Sequence, residues 1–202
     1  MAAVHTRLPT EERQAGIVAV ALQLASTSSP ALITTGDIAA ATGITQGAVF
    51  KHFPTKDAIW LAALRWVRAT LLDRLARAAA EADTPVDALA AVFHAHVGFV
   101  VAHPGVPRLI FHELQLAADS AAKREVRGVL QDYRDLLLGV LARAVEQGQV
   151  RPDLALDAAA TGFIGLLQGL VMQSMLSGQP GSMQPLAGPV LALYLRGLRE
   201  AP

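Results

Sequence analysis

Cysteine is absent from this chain of 202 residues. That absence excludes a disulfide scaffold, a thiol nucleophile, and any zinc or iron–sulfur site built on cysteine. Aromatic residues make up only 5% of the chain and charged residues only 17%, whereas an average globular domain carries about 25% charged residues. Because 52% of the residues are hydrophobic, this composition excludes an intrinsically disordered chain and predicts a folded protein with a substantial core.

Net charge is lacking as well, because 17 basic side chains balance 17 acidic ones. A neutral chain does not attract the phosphates of a nucleic acid through its overall charge, so any DNA-binding function must be indicated by a local motif. The N-terminal segment has no apolar run of the kind that a secretory signal requires. We therefore expect a cytoplasmic protein.

What the chain does contain is helix-forming residues, with 38 alanines and 29 leucines. Segments rich in β-branched and aromatic residues are scarce, so the composition predicts an all-α fold. Apolar residues at helical spacing, interrupted by glycine, proline and serine, predict about nine helices. The predicted helices span approximately residues 10–25, 35–42, 45–53, 56–80, 85–102, 106–117, 120–147, 158–176 and 190–198.

An uncharged stretch of 38 positions lies between Asp157 and Arg196. Its first part, residues 158–176, is long enough to span a bilayer, and Gly165 and Gly169 have the GxxxG spacing of closely packed helices. Polar residues within it and the absence of flanking basic clusters argue against a membrane span. A subunit interface explains the missing charge better, although a monomer core is the alternative. The predicted dimer interface, a four-helix bundle with the symmetry mate, comprises Phe163, Leu166, Leu170, Met175, Val190, Leu193, Tyr194 and Leu198.

Two short predicted helices around a tight turn, in residues 34–53, carry the main functional signal. Ala39 supplies a small residue where the helices cross, and Gly43 tolerates a positive φ in the turn. Thr45 can cap the second helix, whose first amides can then face phosphate. The exposed face of that helix offers Gln46, Gly47, Phe50, Lys51 and His52. Glutamine can bind adenine and glycine allows close approach to DNA. These features indicate a helix-turn-helix, with a plain helical hairpin as the alternative.

This segment resembles the TetR family of transcriptional regulators over about residues 10–64. The resemblance is carried by Ile38-Ala39-x-x-x-Gly43-Ile44-Thr45 and, more specifically, by Phe50-Lys51-His52-Phe53-Pro54-Thr55-Lys56-Asp57-Ala58-Ile59. It implies that Thr35 and Thr45 begin helices that contact phosphate and that Gln46 and Gly47 meet bases. It also implies that His52 and Lys56 contact the DNA backbone. Phe50 stands where the family usually has tyrosine, so a hydroxyl-to-phosphate bond is missing and the ring is left for apolar contact with a thymine methyl. The predicted DNA-binding set is Thr35, Thr45, Gln46, Gly47, Phe50, Lys51, His52 and Lys56.

The same resemblance, here one of layout, implies a DNA-binding domain in residues 1–56 and an effector-binding and dimerisation domain in residues 57–202. Large residues on the intervening helices are candidates for an effector pocket, although most such residues are simply core. One or two polar groups such as His96 or Tyr133 in an apolar cavity would suit an uncharged or weakly polar organic ligand. The predicted ligand-binding set is Trp66, Phe93, His96, Val100, Phe111, His112, Tyr133, Leu137, Phe163 and Leu167.

Neither a metal nor a cofactor is expected. His94 and His96 are two residues apart and face different sides of a helix, and His112 is adjacent to Glu113, so no helical pair of ligands forms. An enzyme would need a reactive pair at one locus, and the chain has no G-x-S-x-G, H-E-x-x-H or phosphate-loop motif. The sequence therefore predicts a non-enzymatic, homodimeric, sequence-specific regulator of transcription. We expect it to repress from a pseudo-palindromic operator in double-stranded DNA, to be released by a small, mainly apolar ligand, and to need no membrane.

Overall fold

A computed structural model describes residues 9–199 of the chain. Within these residues the fold consists of nine α-helices and one short 3-10 helix, and no strand is present, which confirms the all-α prediction. The first eight predicted helices agree with the structure to within two residues at each end. The α-helices are α1 (Thr10–Ala25), α2 (Thr35–Thr42), α3 (Gln46–His52), α4 (Lys56–Ala80), α5 (Pro85–Ala102), α6 (Gly105–Gln115), α7 (Ala121–Glu146), α8 (Leu156–Ser177) and α9 (Gln184–Arg199).

Local hydrogen bonds explain why α2 and α3 begin where they do. The Thr34 hydroxyl accepts from the backbone N–H of Asp37 at 3.1 Å, and the Asp37 carboxylate accepts from the Thr34 N–H at 2.8 Å, which completes a capping box. Gly43, with φ of 70°, ends α2. Thr45 then caps α3 by accepting from the N–H of Ala48 at 3.2 Å.

The predicted start of the last helix is wrong by six residues, and the predicted loop at residues 177–182 contains part of a 3-10 helix (Pro180–Met183). Two prolines suggested that no helix could begin before Val190. However, Pro185 lies in the first turn of α9, where its missing N–H would have no helical partner in any case. Pro189 lies inside α9 and costs that helix one hydrogen bond.

The first of two compact units comprises the described residues up to Trp66 together with Pro104–Glu125. It contains α1, α2, α3 and α6 with the first part of α4. Helix α1 meets α6 so closely that a Cβ built on Gly105 would lie 1.9 Å from the carbonyl oxygen of Leu22. Among the side chains buried completely in this unit are Ile17, Ile38, Ile59, Leu64 and Leu109.

The second unit comprises Val67–His103 and the described residues from Val126 onward. It contains α5, α8 and α9 with the larger parts of α4 and α7. The guanidinium Nε of Arg68 on α4 donates to the Asp132 carboxylate on α7 at 2.8 Å. A functional boundary at residue 56 stays a prediction. Among the side chains buried completely in this unit are Leu75, Leu89, Phe93, Leu137 and Phe163.

Helices Pro85–Ala102 and Leu156–Ser177 are both long and apolar enough to cross a membrane by length and composition. From the sequence, the region of Leu156–Ser177 is identified as long enough to span a bilayer, but Pro85–Ala102 is not identified in this way. In the most apolar part of helix Pro85–Ala102, half is buried inside the protein. In the most apolar part of helix Leu156–Ser177, 39% is buried. Because core helices of soluble proteins have the same properties, these two helices are weak evidence for a membrane span.

Candidate nucleic-acid interface and ligand-binding region

Helices α2 and α3 are held together by the apolar residues that the motif requires. Ile38 and Val49 have no exposed surface, and Ala39 and Phe53 are buried. Gly43 takes the left-handed conformation in the turn between the two helices. The apolar anchors of a helix-turn-helix therefore face inward, and the opposite side of α3 is left for contact with other molecules.

The predicted DNA-binding residues form a continuous accessible surface at α3. Thr45, Gln46, Gly47, Phe50 and Lys51 are exposed, and the ring of Phe50 keeps 46% of its surface. Thr35, His52 and Lys56 are half-buried. The exposed first turn of α3 carries backbone N–H groups that have no partner within the helix, so this end of α3 can accept an anion.

Two of the predicted residues contact each other directly. The side-chain amide of Gln46 donates to the Thr35 hydroxyl at 2.7 Å. The structure therefore brings a residue expected to meet bases into contact with one expected to meet phosphate. Sequence reasoning missed this pair because the two residues are eleven positions apart on different helices. The amide oxygen and the second amide N–H of Gln46 are not used in this bond.

Lys56 and His52 are anchored to neighbouring backbone. The Lys56 ammonium donates to the carbonyl of Ala31 at 3.0 Å and to that of Pro30 at 3.4 Å, which leaves one of its three N–H donors for another acceptor. The His52 carbonyl accepts from the amide of Gln14 on α1 at 3.2 Å, while the ring Nδ1 is buried without a hydrogen-bond partner. Gln14 thus supports the end of α3, a role that its own sequence position did not indicate.

An aromatic cluster fills the centre of the second unit. The ring of Phe163 on α8 makes edge-to-face contacts with the rings of Phe93, Tyr133 and Tyr194. The centroid distances are 5.4, 6.4 and 5.5 Å, respectively. Seven of the ten predicted ligand-binding residues belong to this unit, namely Phe93, His96, Val100, Tyr133, Leu137, Phe163 and Leu167. Trp66, Phe111 and His112 belong to the first unit instead and are half-buried there.

His96 and Tyr133 form the polar contact within this cluster. Nδ1 of His96 lies 3.2 Å from the Tyr133 hydroxyl. Burial lowers the pKa of His96 to about 4, so the imidazole is neutral at pH 7, and burial raises the pKa of Tyr133. The pair therefore offers a neutral donor and a neutral acceptor and carries no charge that would attract an ion. Among the described residues, no group of three or more acidic or histidine side chains could hold a metal.

Three residues of the predicted dimer interface are buried within the protomer. Phe163 has no exposed surface, and Leu170 and Leu198 expose only 4% and 5%, so these side chains leave little surface for contact with a second copy. The Tyr194 hydroxyl donates to the carbonyl of Ala159 at 2.9 Å, which fixes that ring against α8. Leu166, Met175 and Val190 are half-buried, and Leu193 is 66% exposed.

Sequence reasoning identified the exposed Leu193 but missed three other large apolar residues that are exposed on α8 and α9. Leu176 keeps 81% of its surface, and Met172 and Leu186 keep 43% and 44%. A Cβ added at Gly165 or Gly169 would meet nothing within 4 Å. The buried and exposed faces of these helices could not be distinguished by an amphipathic pattern, because both faces are uncharged from position 158 to position 195.

Models of two protein domains match the chain. Residues 17–63 match the model described as bacterial regulatory proteins, tetR family, and residues 117–187 match that of the tetracyclin repressor-like C-terminal domain. The first match covers α2, α3 and the accessible surface described above, together with most of α1. The second covers α7 and α8 and the region that contributes Tyr133 and Phe163.

Individual relatives are more distant. The chain is 28% identical to the HTH-type transcriptional regulator TtgR of Pseudomonas putida over 181 residues, which are 85% of this chain and 84% of that one. It is 22% identical to the nucleoid occlusion factor SlmA of a Marinomonas species, over 91% of this chain and 95% of that one. The fold is similar to that of FadR from Bacillus subtilis in complex with stearoyl-CoA, with a TM-score of 0.78, 19% identity, and coverage of 92% of this chain and 99% of that one.

Along the chain, the first matched domain contains the helix-turn-helix, and the second contains Tyr133 and Phe163 of the aromatic cluster. The chain belongs to the TetR family and is a DNA-binding transcriptional regulator with a ligand-binding C-terminal domain.

Proposed function

We propose that this protein is a homodimeric repressor that a small, mainly apolar organic ligand releases from a pseudo-palindromic operator. The observation that carries the proposal is that one chain contains both the accessible surface of α3, from Thr45 to Lys51, in its first unit and the aromatic cluster around Phe163 in its second. The relative TtgR is a transcriptional regulator, which supports a non-enzymatic role in the cytoplasm. The partial burial of both long apolar helices is consistent with the absence of a membrane partner.

Base recognition is assigned to the N-terminal half of α3. Gln46 can donate to and accept from an adenine edge once it leaves Thr35, and Gly47 lets the helix backbone approach the groove because it has no side chain. Thr35 is then free to donate its hydroxyl to a phosphate. Thr45, Lys51, His52 and Lys56 supply the backbone contacts that set the position of the helix on DNA. Phe50 contributes an apolar surface suited to a thymine methyl.

A homodimer is supported by the uncharged exposed faces of α8 and α9. Large apolar side chains at Met172, Leu176 and Leu193 are exposed, which a soluble protomer does not favour. The open space at Gly165 and Gly169 would let a second helix approach closely. A two-fold dimer holds two helix-turn-helix motifs at the spacing of operator half-sites, about 34–36 Å or a multiple.

The ligand class follows from the chemistry of the second unit. The cluster around Phe163 is apolar, and its polar groups, His96 and Tyr133, are neutral at pH 7. Such surroundings favour a ligand with a large apolar part and one uncharged polar group. FadR of Bacillus subtilis, which shares the fold, was solved with stearoyl-CoA, whose stearoyl chain, but not its charged coenzyme A part, is of the apolar class proposed here. Ligand binding would shift the population toward a conformation with lower DNA affinity.

The proposal is tested by fluorescence anisotropy on a duplex taken from the DNA upstream of the protein's own coding region. We expect Gln46→Ala to weaken specific binding about tenfold or more, the cost of losing a bidentate base contact. Lys56→Ala should weaken binding to any sequence. Gln131→Ala and Lys123→Ala are matched controls outside α1–α3 and should have little effect; Lys123, like Lys56, donates to a backbone carbonyl.

Specific binding that survives both Gln46→Ala and Lys56→Ala would contradict the residue assignment. No sequence preference at any salt concentration would contradict the function. For the ligand, mass spectrometry of an organic extract of the purified protein should identify a mainly apolar molecule that lowers the anisotropy when it is added back. A charged, strongly polar ligand would overturn the proposed class.

A further inference from the structure

A cavity in the first unit is separate from the aromatic cluster of the second. Its volume is about 420 Å³, which is within the range of sites for small organic molecules. The first turn of α4 forms one wall, and residues of α6, the α6–α7 connection and the start of α7 form the others. Helix α4, which forms this wall, begins after only three residues that follow α3, the helix that is assigned to base recognition.

Two buried polar groups on the cavity wall lack sufficient partners. Glu113 is only 5% exposed, and within the described part of the chain Ser120 alone donates to its carboxylate, at 3.1 Å. A carboxylate has about four acceptor positions. Trp60 is only 2% exposed, and its indole N–H has no acceptor among the described residues. Buried groups of this kind are normally satisfied, and an unsatisfied one calls for an explanation.

The charge of the cavity has one sign. Among the described residues that line it, Glu113 and Asp57 carry charge, and none is a lysine, an arginine or a histidine. Lys123, on the first turn of α7, donates from its ammonium to the carbonyl of Leu116 at 2.6 Å. A buried carboxylate without a cationic partner is unfavourable, so a positively charged ligand would satisfy the site. Leu61 and Leu116 supply apolar wall on either side.

We propose that this cavity is a second ligand site, which binds a compact organic ammonium ion carrying an apolar body and a hydrogen-bond acceptor. The ammonium group donates to Glu113, the acceptor takes the indole N–H of Trp60, and the apolar body packs against Leu61 and Leu116. The indole ring also offers a π face to a cation. The site is independent of the effector proposed for the second unit, which is expected to be uncharged or weakly polar.

Three probes of nearly equal shape and different charge test the site. They are 2-(4-methoxyphenyl)ethylammonium, the neutral 2-(4-methoxyphenyl)ethanol and the anion 4-methoxyphenylacetate. Because the chain has only two tryptophans, its indole N–H groups give two signals in a ¹⁵N–¹H spectrum, and Trp60→Phe identifies that of Trp60. We expect the cation to shift the Trp60 signal saturably, the alcohol to bind at least tenfold more weakly, and the anion to cause no shift.

The role of the carboxylate is tested by Glu113→Gln, with the exposed Glu146→Gln as the matched control. Glu113→Gln should weaken binding of the cation at least tenfold, and Glu146→Gln should change it less than twofold. If circular dichroism shows that Glu113→Gln does not fold, the charge series on the natural protein decides alone. The proposal is overturned if the cation causes no saturable shift, if the alcohol or the anion binds as well as the cation, or if folded Glu113→Gln keeps its affinity.

Discussion

At the scale of single residues, Gly105 is the position where two helices leave no room for a side chain. A Cβ there would lie 1.9 Å from the carbonyl oxygen of Leu22, a distance that only movement of backbone can relieve. We predict that Gly105→Ala lowers the free energy of unfolding by about 3 kcal/mol or more, as overpacking against a rigid group does. Urea unfolding followed by circular dichroism measures the change.

The same substitution at Gly16 is the matched control. A Cβ at Gly16 would meet nothing within 4 Å, and the residue lies inside α1. Gly16→Ala should therefore raise the free energy of unfolding by roughly 0.5–1 kcal/mol, because alanine loses less backbone entropy in a helix than glycine. If both variants shift stability in the same direction, the close approach of α1 and α6 at Gly105 is wrong.

His96 gives stability a pH dependence. Because burial lowers its pKa from 6.5 to about 4 in the folded protein, the unfolded chain binds more protons between these values. The contribution of His96 is therefore fully present above pH 6.5 and is lost as the pH falls toward 4. The loss amounts to about 3 kcal/mol at most.

The pH effect is measured by urea unfolding at several pH values between 7.5 and 4.5, for the natural protein and for His96→Gln. We predict that the free energy of unfolding of the natural protein falls more steeply over this range than that of the variant. Tyr133→Phe, which removes the hydroxyl partner but keeps the imidazole, should retain the steep dependence. Equal slopes in the natural protein and His96→Gln would show that His96 is not a buried neutral group.

At the scale of helices, the local sequence predicted most boundaries because caps and breakers act locally. The left-handed Gly43 and the cap at Thr45 were both predicted from short residue patterns, and the capping box at Thr34, which the structure adds, is equally local. The start of α9 was not predictable in this way, because Pro185 is tolerated only as a first-turn residue, a position that depends on where the helix begins. The hydrogen bond from Gln46 to Thr35 was equally unpredictable from the sequence, because it depends on the packing of α3 on α2.

The faces of α8 and α9 show a second limit of sequence reasoning. A hydrophobic face is recognised by its contrast with a charged one, and neither helix has a charged residue between Asp157 and Arg196 to provide that contrast. Phe163 and Leu170 were therefore assigned to a dimer interface although they are buried in the protomer, and the exposed Leu176 was overlooked. The general location of the interface stays a prediction, now with different residues.

That interface is testable with one exposed leucine. Leu193 on α9 is 66% exposed, and we predict that Leu193→Arg dissociates the dimer, because a buried unpaired charge at an interface core is strongly unfavourable. Leu32, which is 76% exposed and precedes α2, provides the control Leu32→Arg. Sedimentation velocity at micromolar concentration should find a monomer for the first variant and a dimer for the second. A dimer in both would remove Leu193 from the interface.

At the scale of the whole molecule, the zero net charge divides into +1 for residues 1–56 and −1 for the remainder. Few cations are therefore available for phosphate, and Lys56 already donates to two backbone carbonyls. Phosphate contact has to depend on the first turns of helices and on hydroxyls such as that of Thr35, which carry no formal charge. The geometry of the motif, more than general attraction, is then the source of DNA affinity.

The number of cations that meet phosphate is measured by the salt dependence of DNA affinity. Each neutralised phosphate contributes about 0.9 to the slope of the logarithm of the binding constant against that of salt concentration. With Lys51 and Lys56 as the cations of the predicted surface in each protomer, we predict a slope on the order of a few for the dimer. Anisotropy titrations between 50 and 200 mM salt measure it.

Lys51→Ala should reduce the slope by about two in a dimer, because one phosphate contact is lost in each half-site. A slope of about ten for the natural protein would mean that many more basic side chains reach the DNA than α3 and the start of α4 provide.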